Sequence, residues 1–238
     1  MSNQSDLLIS VRGEARETVA PDYASLEASI LAIRASKPEA VREVASGLER
    51  LKTDMDALGG EPLTAASERS PLTWSAYSST TDDETNFDSK AGQRQPTGRT
   101  VAAVQVRIMV RAVDLLDRLG AVLARHDDLH LRSVSWHVDH DNPAWSRART
   151  GAVQAAVRKA SDYAAALGGS LSGIEQLADT GLMAEGDTPK QVFRAAAGAA
   201  RQARGDDLEA PSLDPVPQEL RAAVEARFTA TGVTVERP

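Results

Sequence analysis

The chain contains no cysteine, few aromatic residues and no long apolar run, and each absence excludes a class of protein. Without cysteine it has no disulfides, no thiol nucleophile and no cysteine-based zinc site. Aromatic residues make up only 4% of its 238 residues, so the core must be built from Ala, Val, Leu and Ile. A core poor in large rings favours close backbone approach and assembly with other copies.

Charge and hydropathy argue against nucleic-acid and membrane partners. The formal net charge is -7 with the two signs interspersed, whereas phosphate binding requires clustered Lys and Arg. No apolar run approaches the roughly 20 residues that span a bilayer. Near the N-terminus, Leu7-Leu8-Ile9 is followed at once by polar residues, whereas a secretory signal needs roughly 7–15 apolar ones. We therefore expect a cytoplasmic protein with no membrane span.

The periodicity of apolar residues predicts most of the secondary structure. Alternation predicts strands at 7–20, 22–34, 101–110, 131–139 and 170–183, and one or two short extended pieces within 62–77. The turn at Pro21-Asp22 suggests that the first two strands form a hairpin. Spacings of three and four residues predict helices at 37–58, from Asp114 to Leu123, and from 143 to about 167.

The segment QELRAAVEARFTA, 218–230, sets composition against periodicity. Its residues are good helix formers, yet apolar and polar positions alternate from Leu220 to Ala230. On a helix these apolar groups would be scattered around the whole circumference. We therefore predict a strand.

These elements predict an α+β fold, a largely antiparallel sheet with helices packed mainly on one face. We expect a single domain over 7–231. The segment 78–99 is polar and predicts a mobile loop. Residues 185–215 predict a poorly ordered insertion, in which 188–204 has the composition of a short helix.

The order of elements resembles the SIMPL-domain family, also called DUF541. The opening ISVRGEARETVAPDYASLEASI carries the Gly13-Glu14 pair and the Pro21-Asp22 turn. The segment ARTGAVQAAVRKASDYAAALGGSLSGI is similar to the Ala-rich family helix, with its basic residues, Tyr-Ala pair and Leu-Gly end. The alternation at 218–230 follows Pro215 and Pro217, as the last strand of the family follows a Pro-rich loop. The resemblance covers roughly 8–230.

The resemblance implies a bacterial protein related to envelope-associated or periplasmic proteins, to oxidative-stress defence and to surface antigens. It also implies homo-oligomers, since some members form large ring- or channel-like assemblies. It implies no catalytic residue, because none is established for the family. The chain departs from the family in lacking a recognisable signal sequence, and the segments 78–99 and 185–215 are further places where family function need not transfer.

SWHVDHDN, 135–142, is the stretch that most resembles a chemical site. Strand geometry puts His137 and Asp139 on one face, and His140 could add a third ligand suited to zinc or manganese. The simpler interpretation gives each residue a structural role. The carboxylates favour a helix N-terminus, Asn142 caps that helix, and His137 lies on a polar strand face. We favour the structural interpretation and expect no metal or other cofactor.

Other groups of polar residues predict solvated turns or loops. His126-Asp127-Asp128 and His130 fall between a helix and a strand, and a joint site of all four histidines has no support from spacing. TDDETNFD, 81–88, lacks the Gly and terminal Glu of a calcium loop. The alanines at every fourth position from 144 to 164 predict a face packed on the sheet of the chain itself; a role in subunit contacts is the alternative.

Three functions remain open from sequence. The preferred one is a non-enzymatic homo-oligomer in stress protection or as an interaction scaffold. The second is a metal-dependent enzyme using His137, Asp139 and His140. The third is an adaptor that binds a protein partner through 78–99.

Overall fold

Eight strands and three α-helices form in the part of the chain that the computed structural model describes, residues 7–89, 92–183 and 213–234. The strands are β1 Leu7–Val19, β2 Tyr23–Arg34, β3 Glu61–Pro62, β4 Leu72–Asp88, β5 Gln93–Val110, β6 Leu129–His137, β7 Ser170–Asp179 and β8 Gln218–Thr231. The helices are α1 Lys37–Ala57, α2 Leu116–Leu123 and α3 Pro143–Ala166, and a short 3-10 turn, Val113–Leu115, leads into α2. The α+β fold class is confirmed.

The chain divides into two compact units, which the sequence pattern does not indicate. Unit 1 contains β1, α3, β7 and β8, and unit 2 contains β2 to β6 with α1 and α2. The single domain expected over 7–231 therefore consists of two substructures, each with its own core.

Unit 1 is a three-stranded antiparallel sheet, in the order β1-β8-β7, with α3 packed on one face. β8 forms as its alternation predicts, and its apolar residues from Leu220 to Ala230 face the core. The helix meets the sheet through one stripe of small residues, all of them 0% exposed: Ala144, Ala148, Ala152, Ala156, Ala160 and Ala164. The sheet of the chain itself covers this stripe, so the alternative that gives it to subunit contacts is wrong.

Unit 2 is a five-stranded sheet in the order β3-β4-β5-β2-β6, with α1 contacting β2, β5 and β4. Every pairing is antiparallel except the short one between β3 and β4. The core consists of one face of β2, β4 and β5 and the apolar sides of α1 and α2. Gly59, with φ 78°, follows α1 in the left-handed conformation that glycine adopts without strain.

The structure corrects two sequence expectations about strand pairing. β1 and β2 do not form a hairpin: β1 pairs with β8, whereas β2 pairs with β5 and β6. Alternation defines the buried face of a strand but not its neighbour, so the Pro21-Asp22 turn was consistent with either arrangement. Within the segment 78–99, which the sequence predicts as a mobile loop, residues 78–88 and 93–99 form the distal parts of β4 and β5, because a backbone ladder does not require apolar side chains.

The predicted insertion at 185–215 lies largely outside the described residues. Only 213–215 are described, and Leu213 packs against the core of unit 2. No helix among the described residues is both long and apolar enough to cross a membrane.

Candidate functional site

His137, the first residue of the candidate metal cluster, lies at the end of β6 in unit 2. Its ring stacks on Tyr23 at 4.8 Å between centroids with an interplanar angle of 17°. The Arg111 guanidinium lies over the same Tyr23 ring at 4.6 Å. Burial lowers the pKa of His137, because a charged imidazolium is poorly solvated there. His137 therefore belongs to a stack of three side chains, in which His137 and Arg111 both contact the Tyr23 ring.

Asp139 and Asn142 shape the turn that starts α3. The Asp139 carbonyl accepts hydrogen bonds from the Asn142 N–H at 3.1 Å and from Trp145 Nε1 at 3.0 Å. Asn142 Oδ1 accepts from the Ala144 N–H at 2.9 Å, which confirms the predicted cap. His140 is exposed in this turn.

No group of three or more His, Asp or Glu side chains in the described ranges is placed to hold a metal ion. His137, Asp139 and His140 are therefore not brought together as a ligand set. The four histidines do not form a joint cluster either, since His130 is exposed and His126 is buried elsewhere in unit 2.

A polar cleft of about 850 Å³ lies in unit 2 between α1, the end of β2 and the turn that joins α2 to β6. Two ion pairs and one histidine–carboxylate hydrogen bond cross it. They are Arg34 with Glu43 at 3.4 Å, Arg50 Nη2 with Asp128 Oδ2 at 2.8 Å, and His126 Nε2 with Asp54 Oδ2 at 2.8 Å. One pair joins α1 to the end of β2, and the other two join α1 to the turn between α2 and β6. The side chains of the cleft therefore also hold these elements of unit 2 together.

The pair of His126 and Asp54 was missed by sequence reasoning. His126 is 9% exposed, whereas the sequence predicts a solvated turn residue. An ionised carboxylate only accepts hydrogen bonds, so Nε2 donates to Asp54. A weak signal was present, because Asp54 lies next to the buried stripe of α1 that contains Leu51 and Met55.

Gly47 explains how the turn approaches α1 so closely. A Cβ built on Gly47 would lie 2.2 Å from Asp128 Oδ2. Glycine at this position leaves room for the Asp128 carboxylate, which Arg50 then binds. Glycine within a helix costs about 1 kcal/mol relative to alanine, so the close contact explains its presence.

The chemistry available in the cleft is limited. Ligand sites are mostly apolar with a few polar groups that converge on the ligand, whereas the charged side chains here largely bind one another. The Thr53 hydroxyl, which also lines the cleft, donates to the Glu49 carbonyl at 3.0 Å. The polar side chains of the cleft therefore mainly hold elements of unit 2 together.

The distal part of the β4–β5 hairpin is the most exposed regular structure in unit 2. Pairing between β2 and β5 ends where Arg34 meets Thr100. Beyond that point only two strands continue, Asp83–Asp88 paired with Gln93–Thr100. We call this two-stranded segment the ribbon. Phe87 within it is 68% exposed, and Glu84 accepts from Arg99 Nε at 2.8 Å and Nη2 at 2.7 Å and also from Thr97 Oγ1.

A second exposed surface lies on β7 in unit 1. Bulges between Leu171 and Gly173 and between Ile174 and Gln176 place three apolar residues opposite consecutive core-facing residues of β8. Those three are Leu171, Ile174 and Leu177, and they consequently share one face of the sheet. Ile174 is 55% exposed and Leu177 is 49% exposed, because α3 lies mainly over β1 and β8.

Comparison with known proteins agrees with the resemblance drawn from the sequence. No curated protein matches the chain. The SIMPL family, described as a protein of unknown function (DUF541), matches residues 9–228. Since this match spans nearly the whole chain and both units described above, the protein belongs to the SIMPL family.

Proposed function

We propose that this SIMPL protein is a non-enzymatic interaction scaffold that works as a homo-oligomer. The ribbon is the observation that carries the proposal. A two-stranded hairpin without a third strand or a packed face is at best marginally stable in water. Contact with a second copy would supply the cover that no described part of the same chain gives to this segment.

The exposed apolar face of β7 supports the same proposal. β7 is an edge strand, paired only with β8 among the described strands. Edge strands are open to pairing with other chains. Ile174 and Leu177 add apolar surface beside that edge, and burying it against another copy would be favourable.

The cleft supports the non-enzymatic part of the proposal. Its histidine and five of its arginine and carboxylate side chains are engaged in pairs that join elements of unit 2. The candidate metal ligands have other contacts: His137 stacks on Tyr23, and Asp139 accepts hydrogen bonds in the turn before α3. The role in oxidative-stress defence rests on the family resemblance alone and stays an expectation.

Sedimentation velocity of the purified chain tests the proposal. At micromolar concentration we expect a mass larger than the 25.3 kDa of one chain, corresponding to two or more copies. The matched control removes the ribbon and keeps the sheet. Asp83 and Thr100 are cross-strand partners, so Glu84–Arg99 can be replaced by an Asn-Gly turn, which suits a two-residue hairpin loop.

The shortened variant should keep the circular dichroism spectrum of a folded α+β protein and sediment as a monomer. A full-length chain that stays at 25.3 kDa across the concentration range would contradict the proposal. If the shortened variant assembles as fully as the intact chain, the contact between copies lies on another surface, and the exposed face of β7 is the first to examine.

A further inference from the structure

We propose that the ribbons of two copies meet head to tail, with the acidic β4 strand of one copy beside the basic β5 strand of the next. This inference rests on the proposed homo-oligomer and names the contact that forms it. The two strands of the ribbon region differ in charge. From Thr80 to Asp88 the chain has four carboxylates and no basic residue, and from Gln93 to Thr100 it has two arginines and no acid.

The charges that remain unpaired carry the argument. Glu84 and Arg99 neutralise each other through two hydrogen bonds within the ribbon. Asp82 and Asp83 on β4 are exposed, and neither has an ion-pair partner in the described parts of the chain. Arg94 on β5 is likewise exposed, with no such partner among the described residues. Among the described residues, β4 therefore presents two free carboxylates, Asp83 in the ribbon and Asp82 directly before it, and β5 presents one free guanidinium, that of Arg94.

Only one of the three possible ribbon contacts brings opposite charges together. A contact of β4 with β4 places carboxylates beside carboxylates, and a contact of β5 with β5 places arginines beside arginines. Like charges on neighbouring strands destabilise a sheet, whereas opposite charges stabilise it. The favourable contact joins the β4 edge of one copy to the β5 edge of another, so it is heterologous. In a pair of copies, one ribbon edge of each copy stays available for a further copy.

The strand directions are compatible with this contact. Because β4 and β5 run antiparallel within one chain, two ribbons placed side by side in the same orientation bring β5 of the first antiparallel to β4 of the second. The contact relies on side chains more than on a continuous backbone ladder. Pro96 has no N–H to donate, and Gly98 has a φ of 77° within the same edge. Contact through exposed charges is sensitive to salt.

Three variants measured by light scattering with size-exclusion chromatography test the inference. Asp82→Lys with Asp83→Lys reverses the free charge on β4, and Arg94→Glu reverses the free charge on β5. We expect each of these two variants alone to fall to the 25.3 kDa monomer. The third variant combines all three substitutions. It restores opposite charges, with the basic residues now on β4 and the acidic residue on β5. We expect it to recover the mass of the unmodified chain.

Mixing and salt provide further arms of the test. An equimolar mixture of the β4 variant and the β5 variant should assemble, since each supplies the surface that the other lacks. The mass of the unmodified chain should fall when sodium chloride rises from about 0.05 M to about 0.5 M, because screening shortens the range of the attraction.

The results separate failure of this inference from failure of the proposed function. If the unmodified chain is monomeric, the homo-oligomer is refuted and the ribbon contact with it. If the unmodified chain assembles but both charge-reversed variants keep its full mass, the oligomer stands and the head-to-tail contact is refuted. The head-to-tail contact would also be refuted if the β4 variant and the β5 variant were both monomeric and the combined variant did not recover the mass of the unmodified chain.

Discussion

Gly13 of β1 lies directly against the backbone of α3 at Ala152. A Cβ built on Gly13 would come within 2.1 Å of the Ala152 carbonyl oxygen and 2.5 Å of the Ala156 nitrogen. Backbone atoms cannot move aside as a flexible side chain can. The close seating of α3 on its sheet therefore depends on a missing side chain at this point, as well as on the alanine stripe of the helix.

Gly13→Ala should destabilise unit 1. The added methyl must displace α3, and overpacking of this kind costs roughly 1–3 kcal/mol in unfolding free energy. Urea denaturation gives the value. Gly173→Ala in β7 is the matched control, because its Cβ would meet only the Thr229 hydroxyl at 3.2 Å. Equal and small effects at the two glycines would contradict the close packing described here.

Asp54→Ala should lower the stability of unit 2. It leaves the buried His126 without its partner, and an unsatisfied buried polar group costs about 1–3 kcal/mol. We expect the lower part of that range, because the Asp54 side chain keeps 35% of its surface exposed. Asp56→Ala, an exposed position on the same helix, controls for helix propensity. If the two variants unfold at the same urea concentration, the pair contributes nothing to stability.

Unit 2 should lose stability on mild acidification because of His137. Burial holds the pKa of His137 below its usual value of 6.5 in the folded protein. The unfolded chain therefore binds a proton first as the pH falls. The contribution of the neutral His137 ring to the free energy of unfolding is complete above about pH 6.5 and declines below it. It is lost once the pH has fallen below the pKa of His137 in the folded protein.

Urea denaturation of the chain and of His137→Gln at several values between about pH 7.5 and pH 5 measures this effect. The difference in unfolding free energy between the two proteins should shrink as the pH falls through that window. NMR titration of the ring gives the folded pKa directly. A midpoint at or above 6.5 would contradict the effect of burial.

Glu84→Gln should loosen the ribbon without unfolding unit 2. Hydrogen bonds from Arg99 and Thr97 lower the pKa of Glu84, so its ionised form supports the ribbon above the usual carboxyl pKa and loses that role as the pH falls through the lowered value. The variant should show faster amide exchange in the ribbon and unchanged exchange in α1. Asp117→Asn, at an exposed carboxylate of α2 outside the ribbon, should leave exchange in the ribbon unaltered.

The sequence predicts those features that depend on one segment at a time. Alternation places β8 in a sheet despite its helix-forming composition, and the four-residue alanine spacing identifies the buried face of α3. Asn142 is a cap by local chemistry alone. Each of these signals lies within a single element, where the period of the side chains reports burial directly.

Features that depend on two distant segments were missed. Asp54 and His126 are 72 residues apart, and no periodicity links them. The ribbon was missed for a different reason. Both of its faces are exposed, so its side chains need not alternate, and its hydrogen-bonded ladder leaves no compositional trace.

The position of β8 in the centre of its sheet has a consequence for the order of events during synthesis. The strands of unit 1 on either side of β8 are β1, from the start of the chain, and β7. Neither has its hydrogen-bonding neighbour until residues 218–231 leave the ribosome, whereas residues 21–138 of unit 2 are contiguous and complete long before. Nascent β1 must therefore stay unpaired with β8 while the core of unit 2 forms, so it is the emergence of residues 218–231, and not of the first strand, that allows the sheet of unit 1 to form.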